Sequence, residues 1–176
     1  MPEWASTLIV VAVLLLILFG MWQGWRANVR RSAHLVPSHD VPAGLGAPLA
    51  AARALYVGTT AHGKPLERLA IAGLGFRAQG SLAAHAAGLV VSLDGSEDVW
   101  APASDLIAAG PAQVAPDKAV EKDGLLAVSW RLHSAHSAES TGEGTIVDSY
   151  FRVLEPEKTG SLYDAIDSLT AQESEV

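Results

Sequence analysis

The chain has 176 residues, 49% of them hydrophobic, with no cysteine and a formal net charge of −7. Without cysteine, disulfides, thiolate metal sites and cysteine nucleophiles are excluded. From Ser32 onward there are 9 Lys plus Arg against 18 Asp plus Glu, a net of −9. That balance argues against nucleic acid, whose binding is driven by neutralised phosphates, and against broad electrostatic docking on anionic lipid.

The first predicted element is an apolar helix. Residues 4–25 carry no charge, and their centre reads LIVVAVLLLILF. At about 1.5 Å per residue this run reaches roughly 33 Å, enough to cross a hydrocarbon layer. Leu8, Leu15 and Phe19 belong to its apolar body. Trp4 stands at one end and Trp22 and Trp25 at the other, where indole rings favour the membrane interface. A signal peptide would have a basic start and a small-residue cleavage site. Here Glu3 is the charged side chain before the span, and the bulky GMWQGWR follows it. Arg26, Arg30 and Arg31 come after the span and no Lys or Arg precedes it. The positive-inside rule therefore predicts a single-pass protein of the cell membrane, with its C-terminal domain in the cytoplasm and its short N-terminus translocated.

Residues 26–51 read as a basic juxtamembrane segment and a Pro/Gly linker, with Pro37, Pro42 and Pro48 as breakers. A β domain with a closing helix is expected over 52–170, and a frayed tail over 171–176. Strand periodicity is found at 53–59 and at 74–82, where Leu74, Phe76, Ala78, Gly80 and Leu82 share one face. It returns at 88–93, followed by the tight-turn pair Asp94-Gly95 and a returning strand at 98–101. Residues 125–133 and 145–154 form two further strands, separated by the polar loop SAHSAESTGEG. The chain closes with a helix. Ser161 to Asp164 has a capping-box shape, and Leu162, Ile166 and Leu169 form one apolar stripe. Six or seven short strands and a terminal amphipathic helix predict a small bent barrel or sandwich with one end plugged.

The motifs that could carry chemistry have plainer explanations. Gly73-x-Gly75 with Gly80 lacks dinucleotide-fingerprint spacing and is read as strand glycines. Asp94, Ser96 and Asp98 alternate like calcium ligands, but the EF-hand frame is missing and a solvated turn is expected. His133 and His136, with Glu139 and Glu143 nearby, offer metal-ligand types without a zinc-protease helix motif. There is no Gly-x-Ser-x-Gly elbow to present a nucleophilic serine. Arg53, Lys64, Arg68 and Arg77 form a modest basic group, read as a solvated face in preference to an anionic-headgroup site. Tyr56, Trp100 and Trp130 are read as core. No cofactor, metal or catalytic residue is expected.

The stretch Val99-Trp100-Ala101-Pro102-Ala103-Ser104-Asp105-Leu106, set within strands closed by a terminal helix, resembles bacterial pleckstrin-homology-like (PH-like) domains. Actinobacterial members with one N-terminal transmembrane helix are similar across nearly the full chain. The resemblance implies about seven strands in a bent barrel behind the membrane helix. The phosphoinositide site of eukaryotic relatives uses a basic loop between the first two strands. The matching stretch, Thr60-Ala61-His62-Gly63-Lys64-Pro65, holds one lysine, so no ligand residues are carried over. The expected function is a non-enzymatic, membrane-anchored binding or scaffolding module. Its partners would be the lipid bilayer, through the anchor, and a protein in the membrane or cytoplasm. The alternative is an accessory subunit of a transport or envelope-assembly complex.

Overall fold

A computed structural model describes residues 3–32, 35–112, 114–115, 118–119, 125–133 and 144–173. The first element is the helix α1, Glu3–Ser32. It extends past the apolar run, so Arg26, Arg30 and Arg31 lie on the helix itself. Arg26 places its guanidinium 5.3 Å from the centre of the Trp22 ring, a cation–π contact. The stretch Thr7–Ala27 is long and apolar enough to cross a membrane, and none of its most apolar window is buried.

The domain is built on a seven-stranded antiparallel sheet. Its strands are β1 (Ala50–Ala61), β2 (Ala78–His85), β3 (Gly88–Leu93), β4 (Val99–Pro102), β5 (Leu106–Ala112), β8 (Leu125–Leu132) and β9 (Thr145–Val153). Between β5 and β8, β6 (Val114–Ala115) and β7 (Lys118–Ala119) form a separate small ribbon. The spatial order is β4-β3-β2-β1-β9-β8-β5. The sheet is thus open: β4 and β5 are its two ends, although a single 3-10 turn, Ala103–Asp105, joins them in sequence. The helix α2, Thr159–Glu173, packs on β5, β1, β2 and β3 and on that turn.

This is the mostly β, PH-like layout with a C-terminal helix. Alternation along β8 is the clearest case, with Leu126, Val128, Trp130 and Leu132 buried and their neighbours Ala127, Ser129 and Arg131 half-buried. Leu162, Ile166 and Leu169 of α2 are 0%, 0% and 2% exposed within the same core, as the apolar stripe predicts.

Four local expectations change. The strand expected from Leu74 begins only at Ala78. Leu74 is a loop residue, turned back by a bond from its N–H to the Ile71 carbonyl, and Phe76 is 86% exposed instead of facing the core. Alternating Gly and bulky residues imitate strand periodicity there without a pairing strand beside them. Ser161 does not cap α2: the helix starts at Thr159, after a 3-10 turn opened by Pro156, and Ser161 Oγ donates to the Lys158 carbonyl. β5 is not expected from the sequence, because Gly110-Pro111 reads as a break. Proline is nevertheless tolerated on the edge strand that β5 forms. The ribbon β6–β7 carries too few residues to show a period. The expected loop at 134–144 lies outside the described residues except Gly144.

The segment after α1 joins the domain early. Leu35 is 3% exposed and belongs to the core, and Pro37 is buried. Val36 N–H donates to the His133 carbonyl at 3.4 Å, and Trp100 N–H donates to the Ser38 carbonyl at 2.8 Å. Residues 35–41 thus form a strap that runs along the outer edge of β4 and reaches the end of β8.

Candidate functional site

Polar side chains gather in three places. The first is inside the core. Tyr56 Oη donates to the Leu74 carbonyl at 2.7 Å and lies 2.8 Å from Thr59 Oγ1. Thr59 Oγ1 is 2.7 Å from Ser149 Oγ, which also accepts the Trp130 indole N–H at 2.9 Å. Burial pushes the Tyr56 hydroxyl up to about 12, so it stays a neutral donor. This chain ties β1, β8, β9 and the β1–β2 loop together, and each hydroxyl in it has its partners inside the protein.

The second is Asp148 on β9. Its Oδ1 accepts from Ser129 Oγ at 2.6 Å and lies 2.8 Å from His62 Nδ1, while Oδ2 accepts the Gly63 N–H at 3.3 Å. These are the residue types of a hydrolytic triad in the wrong order. A nucleophilic serine gives its proton to a histidine that the acid orients. Here serine and histidine both converge on the carboxylate, which pins the start of the β1–β2 loop to the sheet.

The third is the pair His133–Asp105, with Nε2 at 2.9 and 3.1 Å from the two carboxylate oxygens. It joins the end of β8 to the turn before β5. His136, Glu139 and Glu143, weighed with His133 as metal ligands, lie outside the described residues. Among the described residues no group of three or more His, Asp or Glu side chains is placed to hold a metal ion.

The remaining motif residues serve the backbone. Asp94-Gly95 makes the predicted turn: Ser96 N–H donates to the Leu93 carbonyl, and Gly95 has φ +82°, which favours glycine. At Gly80 a Cβ would lie 1.9 Å from the Ser92 carbonyl oxygen, so the close approach of β2 and β3 requires glycine. The four basic residues have different surroundings. The Arg53 backbone N–H donates to Glu155 Oε2, Lys64 pairs with Glu67 at 3.2 Å, and Arg68 donates to the Gly75 carbonyl. Arg77 borders a cleft of about 400 Å³ between the β1–β2 loop and the Asp94–Ser96 turn. A second, more apolar groove of about 340 Å³ lies between β5, β8 and the start of α2, walled by Pro111, Leu126 and Tyr163. The cavity inside the core is only about 10 Å³, around the least that holds one water.

Two features escaped the sequence reading. Leu66, at 81%, and Phe76, at 86%, are the most exposed large apolar side chains of the described domain, and both lie on the β1–β2 loop. Pro65 beside Leu66, and the glycines at 73 and 75, mark this stretch as a loop in the sequence.

Of the residues singled out for the membrane, Trp4, Leu8, Leu15, Phe19, Trp22 and Trp25 are all exposed along α1. No curated protein matches the chain. A family model described as "Bacterial PH domain-like" matches residues 35–167, opening on the buried Leu35 and ending within α2. The chain belongs to the bacterial PH-domain-like family.

Proposed function

We propose that this protein is a membrane-anchored, non-enzymatic binding or scaffolding module that presents its PH-like domain to the cytoplasm for a protein partner. The carrying observation is α1. Among the described residues nothing buries the most apolar window of Thr7–Ala27, and that much apolar surface is stable in a bilayer and not in water. Trp4 at one end and Trp22 and Trp25 at the other suit the two interfaces, and Arg26, Arg30 and Arg31 favour an internal C-terminus. The family supports a binding role, since PH-like domains are in general binding modules. The polar clusters support it too, because their hydrogen bonds join strands and loops to one another.

The test is a pair of fusions after Val176. A fluorescent reporter that folds only in the cytoplasm should be active, and a phosphatase active only outside should be silent. The reverse pattern overturns the orientation, and release of the protein by alkaline carbonate overturns the anchor. Crosslinking in native membranes then identifies the partner. A multi-span protein that stays bound through mild-detergent purification would favour the accessory-subunit role over a free-standing scaffold.

A further inference from the structure

The face of the sheet turned away from the core carries three arginines that are far apart in sequence. Along β1, Ala52, Ala54 and Tyr56 are buried in the core, so Arg53 and Leu55 between them point to the opposite face. On β9 the same alternation buries Phe151 and packs Val153 on the core, which turns Arg152 outward. Arg77 directly precedes Ala78, which packs on the core, and is exposed like the other two. The register sets them together. Arg152 lies opposite Leu55 on one side and Gln79 on the other, while Arg53 follows two residues away along β1. The pairing of Tyr56 with Ala78 continues to Val57 beside Arg77. From the strand spacing and rise, each arginine is rooted within about 10 Å of Leu55.

Among the described residues none of these three guanidinium groups makes a hydrogen bond or a close ion pair. Glu155, beside Arg53, is held by Lys158 at 2.8 Å and by the Arg53 backbone N–H. Basic side chains are outnumbered two to one from Ser32 onward, at 9 against 18, yet three of them stand on one face with no acid drawn onto them. The face is also partly apolar, with Leu55 half-buried and Leu154, bonded through its N–H to the Arg53 carbonyl, 42% exposed. It is not uniformly positive: Asp94, exposed, bonds through its N–H to the Gln79 carbonyl on the far side of β2.

We propose that this face of β9, β1 and β2 docks an acidic segment of a protein, whose carboxylates meet Arg53, Arg77 and Arg152 around an apolar side chain seated on Leu55. The proposal rests on the reading of the domain as a binding module for a protein partner, and it names the face used and the charge of that partner. Guanidinium groups bind carboxylates bidentately, and an arginine that is already unpaired gives up no ion pair on docking. A protein fits better than an anionic bilayer. Asp94, Glu155 and the net of −9 from Ser32 onward repel a uniformly negative surface, whereas a protein segment can meet each sign in place.

The test uses the full-length chain in its native membrane. A photocrosslinking benzoylphenylalanine replaces, in separate proteins, Gln79 on this face, Tyr163 in the groove beside β5, and Asp167 on the exposed side of α2. Position 79 should capture a protein through a segment rich in Asp and Glu. The yield should fall roughly tenfold in Arg53→Glu/Arg152→Glu and return when the acids of the captured segment are changed to Lys. Arg53→Gln/Arg152→Gln should lower it too, with an unchanged thermal midpoint. A neutral or basic captured segment, a yield indifferent to the arginines or not restored by the exchange, or a crosslink from position 79 to phospholipid overturns the inference. Capture from position 163 and not from 79 overturns it and leaves the binding-module reading standing. No protein captured from any of the three positions overturns both.

Discussion

Replacing Ile166 by alanine tests whether α2 is a structural plug or a free docking arm. Ile166 is 0% exposed and lies in the core cluster with Leu162 and Leu169. Alanine removes three buried carbons, worth about 0.8 kcal/mol each as transfer free energy. A cavity adds to that, because neighbouring strands relax only partly, so the total should reach about 3 kcal/mol. Domains are held by roughly 5–15 kcal/mol in all. For a unit of this size each kcal/mol moves the midpoint by about 3–4 °C, so the melt should fall by about 10 °C. The assay is thermal denaturation of residues 32–176, followed by circular dichroism, with Asp167→Ala on the exposed side of α2 as control. An unchanged midpoint for Ile166→Ala would refute the packing argument. If the same variant also lost its crosslinked partner, α2 would be the docking arm.

Three further outcomes follow from named contacts. Gly80→Ala should strongly destabilise the domain in urea, since its Cβ would meet the Ser92 carbonyl at 1.9 Å, while Gly75→Ala, whose nearest contact is an ordinary 3.5 Å, should be mild. Removal of residues 1–31 should leave a soluble folded domain, and removal of 1–41 should not match its stability, because Leu35 and the Ser38–Trp100 bond go with the strap; equal melts would show that the strap adds nothing. The Glu155 carboxyl is held below its usual range, first by the Arg53 backbone N–H and then by Lys158. A depressed folded-state pKa adds stability above the ordinary glutamate range and loses it as pH falls through the folded value. Glu155→Gln should therefore narrow the stability difference between neutral and acidic pH, read from urea midpoints across that range.

Legibility in the sequence follows burial on one face. β8 and β9 pair with each other, and β8 has one deeply buried face, so the alternation at 125–132 stands out. The same holds for the α2 stripe, where three apolar positions at helical spacing meet a single core. β5 is less legible, because an edge strand tolerates Gly110-Pro111 that a central strand would reject. The alternation from Leu74 to Phe76 misled for the converse reason: glycine between two bulky residues has a period of two whether or not a neighbouring strand is present. The strap lies in a proline-rich stretch, with Pro37, Pro42 and Pro48, and has no period, so only the packing of Leu35 and the backbone bonds of Val36 and Ser38 show that it belongs to the domain. The candidate site residues divide in the same way. The apolar span is visible because 22 uncharged residues need no partner to be recognised, whereas the exposure of Leu66 and Phe76 depends on where a loop of sixteen residues folds back.

The early attachment of the strap changes what the anchor can do. A flexible linker over 26–51 would let the domain explore a wide volume and present any face to the cytoplasm. With the first buried residue at Leu35, that freedom shrinks to a few residues. The groove between β5, β8 and the start of α2 is placed differently. Pro111 and Ala112, near the C-terminal end of β5, lie opposite Leu126 and Leu125 at the N-terminal end of β8, the end away from His133 and the strap. Thr159 and Gly160 open α2 beside the same groove. The groove thus faces away from the tethered end. On the proposed anchoring of α1, that placement leaves the groove open to a protein partner.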